Sequence, residues 1–286
     1  MDLSEKGRQK REQRRECIRA WVTEKKAEGI NCRAYYNGHH GVLENYALCG
    51  DIVQLPYFIH EIADRCFENS GLENLYFDTN NCYSVGERAF AGSSIREFSV
   101  YSDMGMLYKE TFKGCRKLRS IDLHETKVDY IGVSCFEGCE SLEDVVFSYV
   151  LQRLGDYCFK GCTALKRLVL RGSHLGAIGT GAFQDCTNLE ELVLPFEMLE
   201  LYGEIFRNTP KLKRLELPYG FLRIHDTVFD GSSIEEVTCY RDTYEQWKGI
   251  FDRNPAIKVN IKEEPEMSEA DKALQSSFLN RSSYVI

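Results

Sequence analysis

A phenylalanine returns at nearly constant spacing through most of this chain. Phe67, Phe90, Phe112, Phe136, Phe159, Phe183, Phe206 and Phe229 are separated by 22 to 24 residues. Five residues before each stands an aliphatic side chain: Ile62, Val85, Leu107, Ile131, Leu154, Ile178, Leu201 or Ile224. Two residues after each stands Asn69, Gly92, Gly114, Gly138, Gly161, Asp185, Asn208 or Gly231. These types tolerate a left-handed backbone, so a tight turn is expected after every phenylalanine. A strand signal follows: "LENLYF", "IREFSV", "LRSIDL", "LEDVVF", "LKRLVL", "LEELVL", "LKRLEL" and "IEEVTC" are apolar at positions one, four and six. The last two apolar positions alternate with an outward one, as a half-buried strand requires. "IVQLP" at 52–56 supplies an earlier copy. A unit this short cannot bury its apolar face alone, whereas stacked copies share one core. The repeat therefore restricts the chain to a solenoid.

The segment "LKRLVLRGSHLGAIGTGAFQDC" resembles the BspA-type leucine-rich repeat, and the likeness extends over residues 42 to 251. "GVLENYALCGDIVQLP" is similar to the leading segment of such arrays. The resemblance implies an α/β solenoid with a parallel sheet of short strands on one side, irregular or short helical segments on the other, and a role in recognition. Surface attachment, as in family members, is the alternative it raises.

Of the twelve cysteines, Cys115, Cys139, Cys162 and Cys186 share one repeat position, where other units carry Ser70, Ser93, Thr209 and Ser232. Cys66, Cys135 and Cys158 share another, where Ala89, Thr111, Ala182, Ile205 and Val228 alternate with them. A free thiol behaves as a small buried hydrophobe, so both columns read as packing ladders rather than metal or redox pairs. "GAIGTG" at 176–181 mimics a phosphate loop, but Gly179 falls in register with Gly86, Gly132 and Gly155 and is read as a repeat glycine. Cys32, His39, His40 and Cys49 have zinc-ligand types at spacings that match no familiar module, and a capping hairpin is the simpler expectation. No catalytic residue, metal or cofactor is expected, and the chain reads as a non-enzyme.

Charge is unevenly spread within the net −8: residues 1–28 hold nine Lys/Arg against six Asp/Glu, the remainder 27 against 38. An acidic body argues against nucleic acid as the main partner. No apolar run is long enough for a membrane span. The charged "MDLSEKGRQKREQRREC" lacks the apolar core of a secretory signal, so a cytoplasmic protein with reduced thiols is expected.

The organisation read from these features is a basic helix at 1–29, a capping segment at 30–50, repeats at 51–240, a helix–strand cap at 241–262 and a flexible acidic tail at 263–286. In the first helix Ile18, Trp21 and Val22 form an apolar face expected to dock on the first repeat. Arg11, Arg14, Arg15 and Arg19 form a basic face, and residues 11–28 are a second candidate contact region. Gly29 is the expected stop. In the C-terminal cap, Asp242 is the expected N-cap, and Tyr244, Trp247 and Phe251 form an apolar stripe. The terminal "SYVI" is read as a frayed end, with carboxylate capture as the alternative.

Function is expected on the exposed strand face, as a protein-binding scaffold. The outward residue between the last two apolar positions of each unit includes Tyr76, Asp122, Val146, Val169 and Val193. Flanking outward columns add Tyr101, His124, Ser148 and Arg171 on one side and Arg167 on the other. Three successive valines beside Arg167 and Arg171, with two tyrosines toward the N-terminal end, form the candidate partner-binding strip, since aromatic and arginine side chains anchor interfaces.

Overall fold

The computed structural model describes residues 3–47, 52–78, 82–170, 173–195, 198–219 and 223–263. The tail with its "SYVI", together with Cys49 and Arg171, lies outside them.

The array is a solenoid of parallel strands, and each coil has three sides. One carries the strand predicted from the apolar pattern, from Ile52–Leu55 through Asn74–Phe77 and on to Glu236–Tyr240. The second carries a two-residue strand ending at the predicted aliphatic position, such as Tyr130–Ile131 and Arg153–Leu154. The third is the phenylalanine turn. Side chains from all three sides meet in one continuous core, in which Phe67, Phe90, Phe112, Phe136, Phe159, Phe183 and Phe206 are fully buried. Their rings stack along the axis, with centroids 5.4 Å apart for Phe67–Phe90, 5.1 Å for Phe90–Phe112 and 5.2 Å for Phe136–Phe159.

The turn side has its own hydrogen-bond ladder. The Phe112 N–H donates to the Cys135 carbonyl at 2.9 Å, and the Phe136 N–H to that of Cys158 at 2.8 Å. The expected left-handed column is present, with φ from 54° at Asn208 to 74° at Gly138. A second left-handed column, two residues before the phenylalanine, holds Arg65, Arg88, Glu110, Ser134, Tyr157, Gly181 and Glu204, with φ between 52° and 59°. It was invisible in the sequence because six of its seven members are not glycine. Each of these residues donates its N–H to the next coil, as Glu110 does to Val133 at 2.9 Å and Tyr157 to Thr180 at 2.8 Å. Those bonds offset the local cost of the conformation.

The glycine column of Gly86, Gly132, Gly155 and Gly179 has a steric cause. A Cβ at Gly132 would stand 2.5 Å from the Tyr108 backbone, and one at Gly179 would stand 2.6 Å from the Asp156 nitrogen. At these glycines the preceding coil approaches too closely for a side chain, whereas Tyr108, Tyr202 and His225 take the same repeat position in other coils.

At the N-terminal end, Leu3–Ala27 is a helix closed by Gly29 at φ 84°. The Ile30 N–H bonds the Lys25 carbonyl at 2.9 Å and the Gly29 N–H that of Lys26 at 3.0 Å, the paired closure typical of a glycine stop. Asn31–Tyr36 and Gly41–Ala47 form an antiparallel hairpin, and the second strand continues in parallel onto Ile59–Ile62. Ile18 and Trp21 are buried, with Trp21 against Tyr46 (6.2 Å) and edge-on to Phe58 (6.5 Å). The helix thus docks on the hairpin and the turn after it, where the hairpin covers the end of the array.

At the other end the strand Glu236–Tyr240 runs straight into the helix Arg241–Arg253. Extended Tyr240 (ψ 159°) is the N-cap, without a side-chain cap bond, so Asp242 lies in the first turn instead. Phe251 is buried against Phe229 at 6.2 Å, closing the stack, and Lys258–Lys262 adds a last parallel strand. Among the described residues no helix is long and apolar enough to cross a membrane.

Candidate functional site

The strand face presents most of the predicted strip to solvent. Tyr76 is 55% exposed, Tyr101 46%, Val146 48% and Val169 40%. Arg167 and His124 are also exposed, whereas Asp122 and Val193 are half-buried. Ser148 departs from the expectation: it is buried, and its hydroxyl donates to the Thr126 carbonyl at 2.7 Å. The chain has turned inward by that position. The next residue, Tyr149, is 67% exposed instead and was missed because it follows the strand pattern rather than belonging to it.

The face is not one uninterrupted sheet. Ile52–Leu55 pairs with Asn74–Phe77; Glu97–Ser99, Ser120–Asp122 and Asp144–Val146 form a second group; Arg167–Val169 pairs with Glu191–Val193; and the C-terminal strands form a fourth. Val146 therefore pairs with Asp122 and Val169 with Val193, and a break in the ladder separates Val146 from Val169. On the opposite side the two-residue strands from Met106–Leu107 to Arg223–Ile224 remain one six-stranded ladder. At the last break on the strand face a shallow depression of about 760 Å³ is lined by Val193, Arg214, Glu216, Pro218, Thr238 and Tyr240.

Toward the C-terminal end of the face, charges are paired. Arg167 holds Glu191 at 2.7 Å on the neighbouring strand, Arg214 holds Glu236 at 3.2 Å, and Lys262 holds Glu216 at 2.7 Å. His124 Nδ1 meets Asp122 Oδ1 at 2.6 Å, and this contact raises the imidazole above its ordinary pKa. The Tyr101 ring stands edge-on to that imidazole at 5.8 Å.

Among the described residues, the cysteines and histidines singled out in the sequence lie in the core or apart from one another. Cys115, Cys139, Cys162 and Cys186 are fully buried, and each thiol donates to the phenylalanine carbonyl of the preceding coil, at 2.9, 3.1, 3.2 and 3.0 Å. Burial pushes the thiols of Cys115 and Cys186 up to about 12, the opposite of what a nucleophile or metal ligand needs. In the leading segment Cys32 is in the core while His39 is exposed. The His40 ring packs instead against Tyr83 (4.8 Å) and His60 (5.5 Å). Among the described residues no three side chains of metal-binding type converge. A further depression of about 410 Å³ lies at the N-terminal end, between Tyr35, Glu61, Asp64, Glu87 and Tyr108.

Known proteins place the fold. The solved structure of a T. pallidum leucine-rich repeat protein is 23% identical, covers 82% of this chain and 96% of its own, and superposes with a TM-score of 0.53. A leucine-rich cell surface protein of Faecalibacterium prausnitzii is 15% identical over 84% of this chain and 97% of its own, with a TM-score of 0.36. No curated protein matches the sequence. The model of the BspA type leucine rich repeat region matches residues 60–176 and 152–270. With the stacked phenylalanines, the left-handed turns and the parallel ladders, that match makes this chain a member of the BspA-type leucine-rich repeat family.

Proposed function

We propose that the protein is a non-catalytic scaffold that binds a protein partner through its strand face. The observation that carries this reading is the exposure of Tyr76, Tyr101, Val146 and Val169 on one side of a rigid array. Apolar and aromatic side chains displayed together on a surface are a mark of interaction sites. Repeat arrays in general bind on such extended surfaces. The proposed setting is the reducing interior of a cell, supported by the four-thiol ladder, whose S–H groups are used as hydrogen-bond donors.

The test is capture of partners by the unaltered protein and by a Val146→Glu/Val169→Glu variant, both shown to be folded by circular dichroism. Half-buried Val193 is left intact so that folding is not at stake. A partner held by the first and lost by the second is expected. Equal retention by both would move the interface off the strand face.

A further inference from the structure

The strand face is electrically divided. In its C-terminal half, cations sit against carboxylates: Arg167 with Glu191 and Arg214 with Glu236 on the next strand, and Lys262 with Glu216 across the strand between them. In its N-terminal half, from Ile52–Leu55 to Asp144–Val146, the outward columns carry Asp78, Glu97, Asp122 and Asp144; the cations beside them stand just before the strands, Arg96 paired with Glu73 at 2.9 Å and Arg119 exposed. Asp78 accepts from the Gln54 amide at 2.6 Å and Asp122 from His124, and neither contact supplies a permanent cation. Among the described residues neither Glu97 nor Asp144 has a charged partner. The exposed rings of Tyr76 and Tyr101 stand in this same half.

We infer that the N-terminal half of the strand face binds an arginine-rich, extended segment of a partner protein. The inference rests on the strand-face reading above and names the chemistry of the partner. A guanidinium forks onto a carboxylate and also stacks on a tyrosine face, and this surface offers both groups side by side. Ammonium groups use the charge but stack less well. With strands about 4.8 Å apart and about 3.3 Å per residue along them, Asp78 and Asp144 are separated by roughly 14 Å across the face and roughly 13 Å along it, which about six extended residues span. Steering of a basic segment onto an acidic surface also speeds encounter and makes it salt-dependent.

The experiment is fluorescence anisotropy with labelled nona-arginine, nona-lysine and nona-glutamate at low salt. It compares the unaltered protein with three folded variants: Glu97→Gln/Asp122→Asn/Asp144→Asn at the site, Tyr76→Ala/Tyr101→Ala at the rings, and Glu190→Gln/Glu191→Gln/Glu216→Gln as a charge-matched control. The site variant is expected to weaken nona-arginine about tenfold or more, and the control less than about twofold. The tyrosine variant is expected to weaken nona-arginine more than nona-lysine. Equal loss in the site and control variants would overturn the assignment, because attraction would then be to net charge alone. So would nona-arginine binding no tighter than nona-glutamate. Self-association of the unaltered protein, abolished in the site variant, would give the surface to the basic helix of a second copy and overturn it as well. If the valine variant loses its partner while nona-arginine fails, the strand-face reading stands and only the partner chemistry falls.

Discussion

At the scale of single residues, positions that look interchangeable in a repeat have different physical roles. Gly138 and Gly132 are both repeat glycines, yet one is required by a left-handed backbone and the other by a neighbouring coil. Gly132→Ala is expected to cost about 2–3 kcal/mol, because the new Cβ meets main chain that cannot step aside. Urea unfolding measures it, and a loss below about 0.5 kcal/mol would show that the coils separate easily. Gly179 was legible as a repeat glycine from register alone; why it must be glycine was not. The cysteine ladder divides in the same way. Its burial followed from the small residues that alternate with it, while the S–H bonds to the phenylalanine carbonyls depend on where the preceding coil lies. Outward residues were read least well. Ser148 lies inside and Arg167 is committed to Glu191, because a strand pattern gives the side of a side chain and not its neighbours.

At the scale of elements, the two ends of the array use the same device, an aromatic side chain from a helix laid on the terminal core. Trp21 covers Tyr46 and Phe58, and Phe251 covers Phe229. Trp21→Ala is expected to cost about 3 kcal/mol. It is also expected to free the helix, so that trypsin cuts at Arg14, Arg15 and Arg19 well before the repeats. Cleavage no faster than in the unaltered protein would mean that the helix is held by other contacts, such as the Arg14 bond to the His39 carbonyl. The helix and its glycine stop were evident from the sequence, since a local closure depends on local residues. Its docking surface was not, because the rings that receive Trp21, those of Tyr46 and Phe58, lie 25 and 37 positions further along the chain. The same limit explains Asp242: a strand that runs directly into a helix places Tyr240 at the cap, whatever the capping preference of its neighbours.

At the scale of the whole molecule, each coil contacts chiefly the coils beside it, so a coil is a removable unit. Deleting residues 137–159 joins Phe136 to Lys160 in register, and the shortened chain is expected to fold with unchanged circular dichroism per residue and a lower melting temperature. Loss of cooperative folding would show that this coil holds something its neighbours cannot replace. The sequence by itself determined the repeat, its length, the buried phenylalanines, the turns after them and the family, because these arise from side-chain periodicity and backbone tolerance within one unit. Only the tertiary structure decided where the strand face breaks, which charges neutralise one another and which remain free, and where a second left-handed column lies. Those depend on the separation between neighbouring coils, which is set by the packing of residues about 23 positions apart.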